Sequence, residues 1–302
     1  MAGRIPASYW SNRLCAAGVL ATMLWGGSGC RSSLDLRSPR RYDMGLVLIF
    51  PGIEGPSVWN RNLARGLDEG GVTSAIEIYD WSTGIPGDFL GNLTDLERNR
   101  VQAKRASNHI IQYQRRHPRR PICLVGHSGG GGIAVLALEQ SRPNTCVDLT
   151  ILLAPALSPG YDLQTALRRS RRGIVNFYSE RDVSMLKVGT SVFGPIDRDF
   201  GVSAGAAGFN PPEKQDETAR RLYSDGLRQV RWSTHLKKYG VDGSHVGWTS
   251  RQFAREYLAP LIQEINAAHP APAAAGLDDR RHESNREECH VDNSAHIGLK
   301  GP

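Results

Sequence analysis

The sequence predicts an α/β fold, a mostly parallel central sheet of about six strands with helices on both faces. Three observations carry this. Strand-like and helix-like segments alternate at the spacing of βα units rather than of hairpins. The first strand-like run, Gly45-Leu46-Val47-Leu48-Ile49-Phe50, is continuously apolar, as a strand covered on both faces must be. At 302 residues and 40% hydrophobic, the chain is long enough to bury such a core.

Each element follows from local pattern. The strand at 45–50 leads into a helix at 58–69, with Val58, Leu63 and Leu67 on one side and Gly70-Gly71 as its stop. A second strand spans Val72 to Tyr79, and residues 81–94 read as a Gly-rich loop. Leu96 to Arg116 is a long polar-faced helix halted by Pro118. A central strand at 121–126 and helix at 129–141 come next, then a strand at 147–153 and a short helix near 161–170. Strands at 173–178 and 228–233 and a closing helix at 250–266 complete the pattern. Sheets of this kind gather their functional loops at the C-terminal ends of the strands.

The ends of the chain read differently. Arg4 and Arg13, the apolar stretch Leu14–Trp25 and the small residues Gly26-Gly27-Ser28-Gly29 predict an export signal over 1–29. Cys30 follows where a bacterial lipoprotein signal places its lipidated residue, and the segment resembles one, with Gly27 standing where that pattern prefers a branched apolar residue. The resemblance implies membrane anchoring through Cys30 and a location in the cell envelope, the periplasm or outside the cell. Residues 30–44 then form a linker, 45–268 the folded domain, and 269–302 a disordered tail too polar to order itself. Its histidines are irregularly spaced, so no metal site is expected, and no cofactor.

The formal net charge is +7, carried by clusters such as Arg115-Arg116 with Arg119-Arg120, and Arg168-Arg169 with Arg171-Arg172. Each lies at a predicted helix end, where cations suit the dipole, and no aromatic residues interleave them as a nucleic-acid surface requires. Nucleic acid is therefore not an expected partner. Of the two domain cysteines, Cys123 and Cys146 lie on or beside neighbouring strands, with Cys123 expected as a buried free thiol.

The chemistry concentrates at Gly126-His127-Ser128-Gly129-Gly130, between the strand Ile122–Val125 and the helix starting near Ile133. A tight strand-to-helix turn lifts the Ser128 hydroxyl off the sheet, and the flanking glycines permit it. A serine needs a base, and the base an orienting acid. Asp182 follows the strand 173–178, with Glu180 and Asp162 as rivals. His245, in Asp242-Gly243-Ser244-His245, precedes the last helix, with His235 as the alternative. His127 points away from the serine hydroxyl and belongs to the packing of the turn. N–H donors for a developing oxyanion are expected from Gly129 and from Ile53, or Gly52 itself, in the loop after the first strand. Neither glycine-rich loop ends in the Gly-Lys-Ser/Thr of a phosphate cradle.

Together Pro51-Gly52, Gly126-His127-Ser128-Gly129-Gly130, Asp182 and His245 resemble the α/β-hydrolase superfamily over about residues 45–266. The two leading strands of its full form are not expected here, which is similar to compact cutinase-like members. The resemblance implies a serine hydrolase acting through an acyl-enzyme, with a small-molecule carboxylic ester as the commonest substrate. Thioesterase, amidase, peptidase or acyltransferase chemistry would use the same residues, and a catalytically silent scaffold for surface binding is the alternative of another class. Trp81 and Phe193 are expected to line the pocket, with 184–226, including Ser203–Phe209, as a surface excursion or a mobile flap.

Overall fold

A computed structural model describes residues 35–85, 87–182, 201–211 and 216–269. The chain divides into two units, Met1–Asp35 and Leu36–Pro302, and the sheet with its helices lies in the second. The expected export signal and Cys30 fall outside the described residues, as do Phe193 and the tail beyond His269.

Six strands form one sheet in the order β2-β1-β3-β4-β5-β6, every neighbouring pair parallel. They are β1 (Leu46–Phe50), β2 (Ala75–Ile78), β3 (Ile122–His127), β4 (Leu149–Leu153), β5 (Ile174–Tyr178) and β6 (Leu227–Arg231). β1, β3 and β4 are buried along their whole length, which is why they read as unbroken apolar runs. Alternate residues feed two cores. Leu46, Leu48, Phe50, Ile122 and Leu124 face one side, and Val47, Ile49, Cys123 and Val125 the other.

The helices cover both faces. On the first lie α4 (Leu96–Arg116), α5 (Gly129–Glu139) and α6 (Gln164–Arg168), through Ala103, Ala106, Ile110, Ile133, Ala166 and Leu167. On the second lie α2 (Val58–Glu69) and the C-terminal helical stretch, where Arg251–Phe253 passes through a π-helical turn at Ala254–Leu258 into Ala259–Ala267. α5 is buried on every side from Gly129 to Leu138, so its sequence shows no polar stripe. Its glycines allow that depth. A Cβ on Gly130 would strike the carbonyl oxygens of Phe50 and Pro51, and one on Gly131 would lie 2.9 Å from Pro155 Cβ.

The sheet order places β1 beside both β2 and β3, so the chain leaves β1 in one direction and returns in the other. A crevice opens at such a reversal, outside the C-terminal ends of β1 and β3. The loop Pro51–Ser57 and the turn at Ser128 both sit there.

Three expectations need correction. The end of the expected linker is part of the domain: α1 (Pro39–Tyr42) is held by Arg41, which pairs with Asp68 and donates to the carbonyls of Val72 and Ser74, while Leu36 O accepts from Ile76 N. The loop 81–94 contains α3 (Phe89–Thr94), capped by the Asp88 carboxylate on Gly91 N at 3.0 Å. Residues 203–209 are no surface flap. Ala204 and Phe209 are buried, Ala204 N donates to Leu157 O at 2.7 Å, and Ser179 N donates to Gly205 O at 2.9 Å. Cys146 is disulfide-bonded while Cys123 is a free, buried thiol, so these two do not pair. Among the described residues no helix is long and apolar enough to cross a membrane.

Candidate active site

Ser128 terminates β3 with φ 54° and ψ −124°, a region that side chains other than glycine rarely occupy. The strain has a local cause. β3 is pinned between β1 and β4 up to His127, α5 starts at Gly129, and one residue must make the whole change of direction. Ser128 N donates to Leu153 O at 3.0 Å, and Ser128 O accepts from Gly131 N and Ala156 N. Gly126 is required inside this turn because a Cβ there would meet the backbone of Gly130 and Gly131.

The oxyanion candidates converge on Ser128. A Cβ on Gly52 would run into the Glu54 carboxylate and come within 3.3 Å of Ser128 Cβ, and one on Gly129 would lie 2.9 Å from Ile53 Cγ2. The turn is closed by Gly55 N on Gly52 O, which leaves the amides of Gly52 and Ile53 out of its hydrogen bonding. Two side chains behind the loop hold it: Trp81 Nε1–H donates to Pro51 O and Asn92 Nδ2–H to Ile53 O, each at 2.8 Å. The Glu54 carboxylate accepts from Ser57 Oγ and Asn60 Nδ2, both at 3.2 Å, and so fixes the loop to the start of α2.

Trp81 therefore departs from its expected place as an apolar pocket wall. It is fully buried, because its indole packs under Gly129 and its N–H is needed by a main-chain carbonyl. Asn92, buried and bonded to Thr83 N as well as Ile53 O, is a supporting residue that the sequence pattern does not single out. Its one signal there is an Asn inside a glycine-containing loop.

Asp182 and His245 meet. His245 Nδ1–H donates to Asp182 Oδ2 at 2.6 Å, across 63 residues of sequence. Asp182 is completely buried and the His245 side chain is 13% exposed, so the carboxylate is removed from water while the imidazole keeps access to the crevice. Asp182 Oδ1 has no hydrogen-bond partner among the described residues, which leaves the imidazole as the group that offsets its charge. The rivals lie elsewhere. Glu180 is exposed and pairs with Arg231, Asp162 accepts from Tyr223 Oη at 3.0 Å, and His235 is exposed against Tyr239.

His127 also reaches the base. Its Nε2 lies 3.1 Å from the His245 carbonyl oxygen, and the two rings are 5.0 Å apart. Burial, and then the neighbouring His245, push its pKa down to about 3.

An all-parallel sheet with a strained serine between β3 and α5, an acid after β5 and a histidine before the last helix is the arrangement of one superfamily. The chain has the α/β-hydrolase fold. Residues 93–241 match the sequence model of the hydrolase family described as serine aminopeptidase, S33, a span that holds Ser128 and Asp182. No curated protein matches the chain. Solved structures similar to it include a dienelactone hydrolase from Anabaena variabilis, with 17% identity over 74% of this chain and 86% of that one, at a TM-score of 0.42. A lipase-esterase related protein from Clostridium acetobutylicum is 10% identical over 73% and 93% of the two chains, at a TM-score of 0.40. Est1E from Butyrivibrio proteoclasticus is 13% identical over 74% and 86%, at 0.39.

Proposed function

We propose that this α/β-hydrolase is a serine hydrolase that cleaves carboxylic esters through an acyl-enzyme on Ser128. The observation that carries the reading is the strained Ser128 turn, whose neighbour His127 meets the His245 carbonyl oxygen at 3.1 Å, together with the His245 imidazole joined to the buried Asp182 at 2.6 Å. Strain of this kind costs about 1–3 kcal/mol and persists where it is used. That argues against the silent-scaffold alternative.

In this reading His245 Nε2 takes the Ser128 hydroxyl proton as Oγ attacks the ester carbonyl, and Asp182 fixes the tautomer and offsets the imidazolium charge. The carbonyl oxygen becomes an oxyanion that the amides of Gly129 and Ile53, or Gly52, receive. Collapse expels the alcohol, which carries off the proton from His245. Water, deprotonated by the same imidazole, then attacks the acyl-enzyme, releases the acid and restores Ser128. An amine leaving group would use the same steps, and the S33 description gives peptide substrates some weight. We place the enzyme outside the cytoplasm, from the leader at 1–29 and from the disulfide at Cys146, a bond favoured by oxidising compartments.

Steady-state hydrolysis of p-nitrophenyl butyrate tests this. Ser128→Ala and His245→Ala are each expected to lower kcat by roughly 10³-fold or more with folding unchanged. Wild-type kcat in either variant would refute the assignment.

A further inference from the structure

His127 is the histidine at this site that the catalytic steps leave unused. It is 1% exposed, ends β3 directly before the nucleophile, and meets the His245 carbonyl oxygen at 3.1 Å through Nε2. A carbonyl only accepts, so Nε2 carries the hydrogen and Nδ1 is bare. Nδ1 is buried with no hydrogen-bond partner among the described residues. Leucine or phenylalanine at this position would leave no such polar atom stranded away from water. The ring stays neutral across the working range because burial and the adjacent His245 both disfavour its cation. It is therefore a donor whose state does not follow pH.

We propose that His127 is a positioning residue for the base: its hydrogen bond fastens the main chain of His245 to the strand end that carries Ser128. The proposal rests on the triad reading of Ser128, Asp182 and His245. The His245 imidazole is tied to Asp182 at Nδ1 and to its own main chain through Cβ, so where Nε2 sits depends on where that main chain is held. The loop around it includes Gly243 at φ +89° and the turn in which Ser244 N and Oγ contact Asp242 Oδ1 at 2.9 and 2.7 Å. Among the described residues, His127 supplies the bond from this loop to the elbow. Because the donor is the covalent neighbour of Ser128, nucleophile and base keep one separation when the surrounding loops move.

The test is kcat and KM for p-nitrophenyl butyrate, with thermal midpoints, for wild type, His127→Leu, His127→Gln and His127→Asn. His127→Leu is expected to lower kcat roughly 10- to 100-fold, the scale of a misplaced catalytic group, with KM and the thermal midpoint little changed. His127→Gln, whose amide N–H extends to about the same place as Nε2, should recover most of that loss. His127→Asn, one carbon shorter, should not. Wild-type kcat in His127→Leu, or equal losses in all three variants, would overturn the proposal. Should His127→Leu fail to fold, the Gln and Asn pair carries the same decision, and equal kcat in the two overturns it. A folded wild type with neither esterase activity nor fluorophosphonate labelling would defeat the triad reading and this inference with it. Active wild type with indifferent His127 variants would defeat the positioning role alone.

Discussion

Among the described residues Asp182 has one partnered oxygen, and that partner is the imidazole. An asparagine there keeps the shape but can offer its N–H₂ to Nδ1, which favours the tautomer with the hydrogen on Nε2 and removes the lone pair that would take the serine proton. Asp182→Asn is expected to lower kcat by roughly 10²–10⁴-fold with KM changed only a few-fold. The buried charge is removed too, so the thermal midpoint should hold or rise. Near-wild-type kcat would move the acid elsewhere. Ser128, Asp182 and His245 are legible in the sequence because each stands at a strand or helix junction in a fixed chain order. The His127–His245 contact is not, since its partners are 118 residues apart and only the folded loop reveals which atom the ring meets.

At the scale of elements, the closest fit in the site is between the start of α5 and the end of β1. Gly130→Ala would drive a methyl group into the carbonyl oxygens of Phe50 and Pro51, which are backbone and cannot turn aside. Overpacking of this sort costs about 1–3 kcal/mol or more. It would also push the loop carrying Gly52 and Ile53 away from Ser128. The expected result is a lower thermal midpoint together with a loss of kcat, measured by calorimetry and ester hydrolysis. An alanine variant as stable and active as wild type would contradict this packing.

All six strands are readable from the sequence to within about three residues at their ends, the usual boundary slack. Buried parallel strands are apolar throughout and end at Gly, Pro or polar turns, which makes them conspicuous. α3 is hidden by Gly91, Asn92 and Thr94, poor helix formers whose turn is set by the Asp88 cap and by Asn92 reaching Ile53. The Glu217–Gly226 helix, capped by Asp216 on Ala219 N at 2.7 Å, lies in a stretch that reads as an excursion between acid and base. Trp81 is ambiguous for a related reason. An indole after a strand fits a pocket wall or a buried brace equally well, and only the position of Pro51 O decides between them.

For the whole molecule, one group that couples stability to pH in the neutral range is Glu139 at the end of α5. Burial raises its carboxyl to about 7, against the opposing hydrogen bond from Tyr161 Oη at 2.9 Å and with a further push from Asp162. A carboxyl raised above its unfolded value binds more protons in the folded state. Stability from this group is therefore fully present below about pH 4.5 and declines as pH climbs to about 7. Glu139→Gln keeps an acceptor for Tyr161 and removes the titration. It should stabilise the protein at pH 8 by about 1–3 kcal/mol, and the gain should vanish near pH 4.5. Denaturant midpoints at the two pH values check this, and an equal difference at both would contradict it.

Whether this fold presents an activated serine at position 128 is decided by fluorophosphonate labelling of residues 31–302. Wild type and Ser128→Ala would be compared under identical conditions and the adduct located by mass spectrometry. One adduct is expected, on Ser128, absent from the variant. A folded wild type that takes no label, or a label retained in Ser128→Ala, would contradict an activated Ser128.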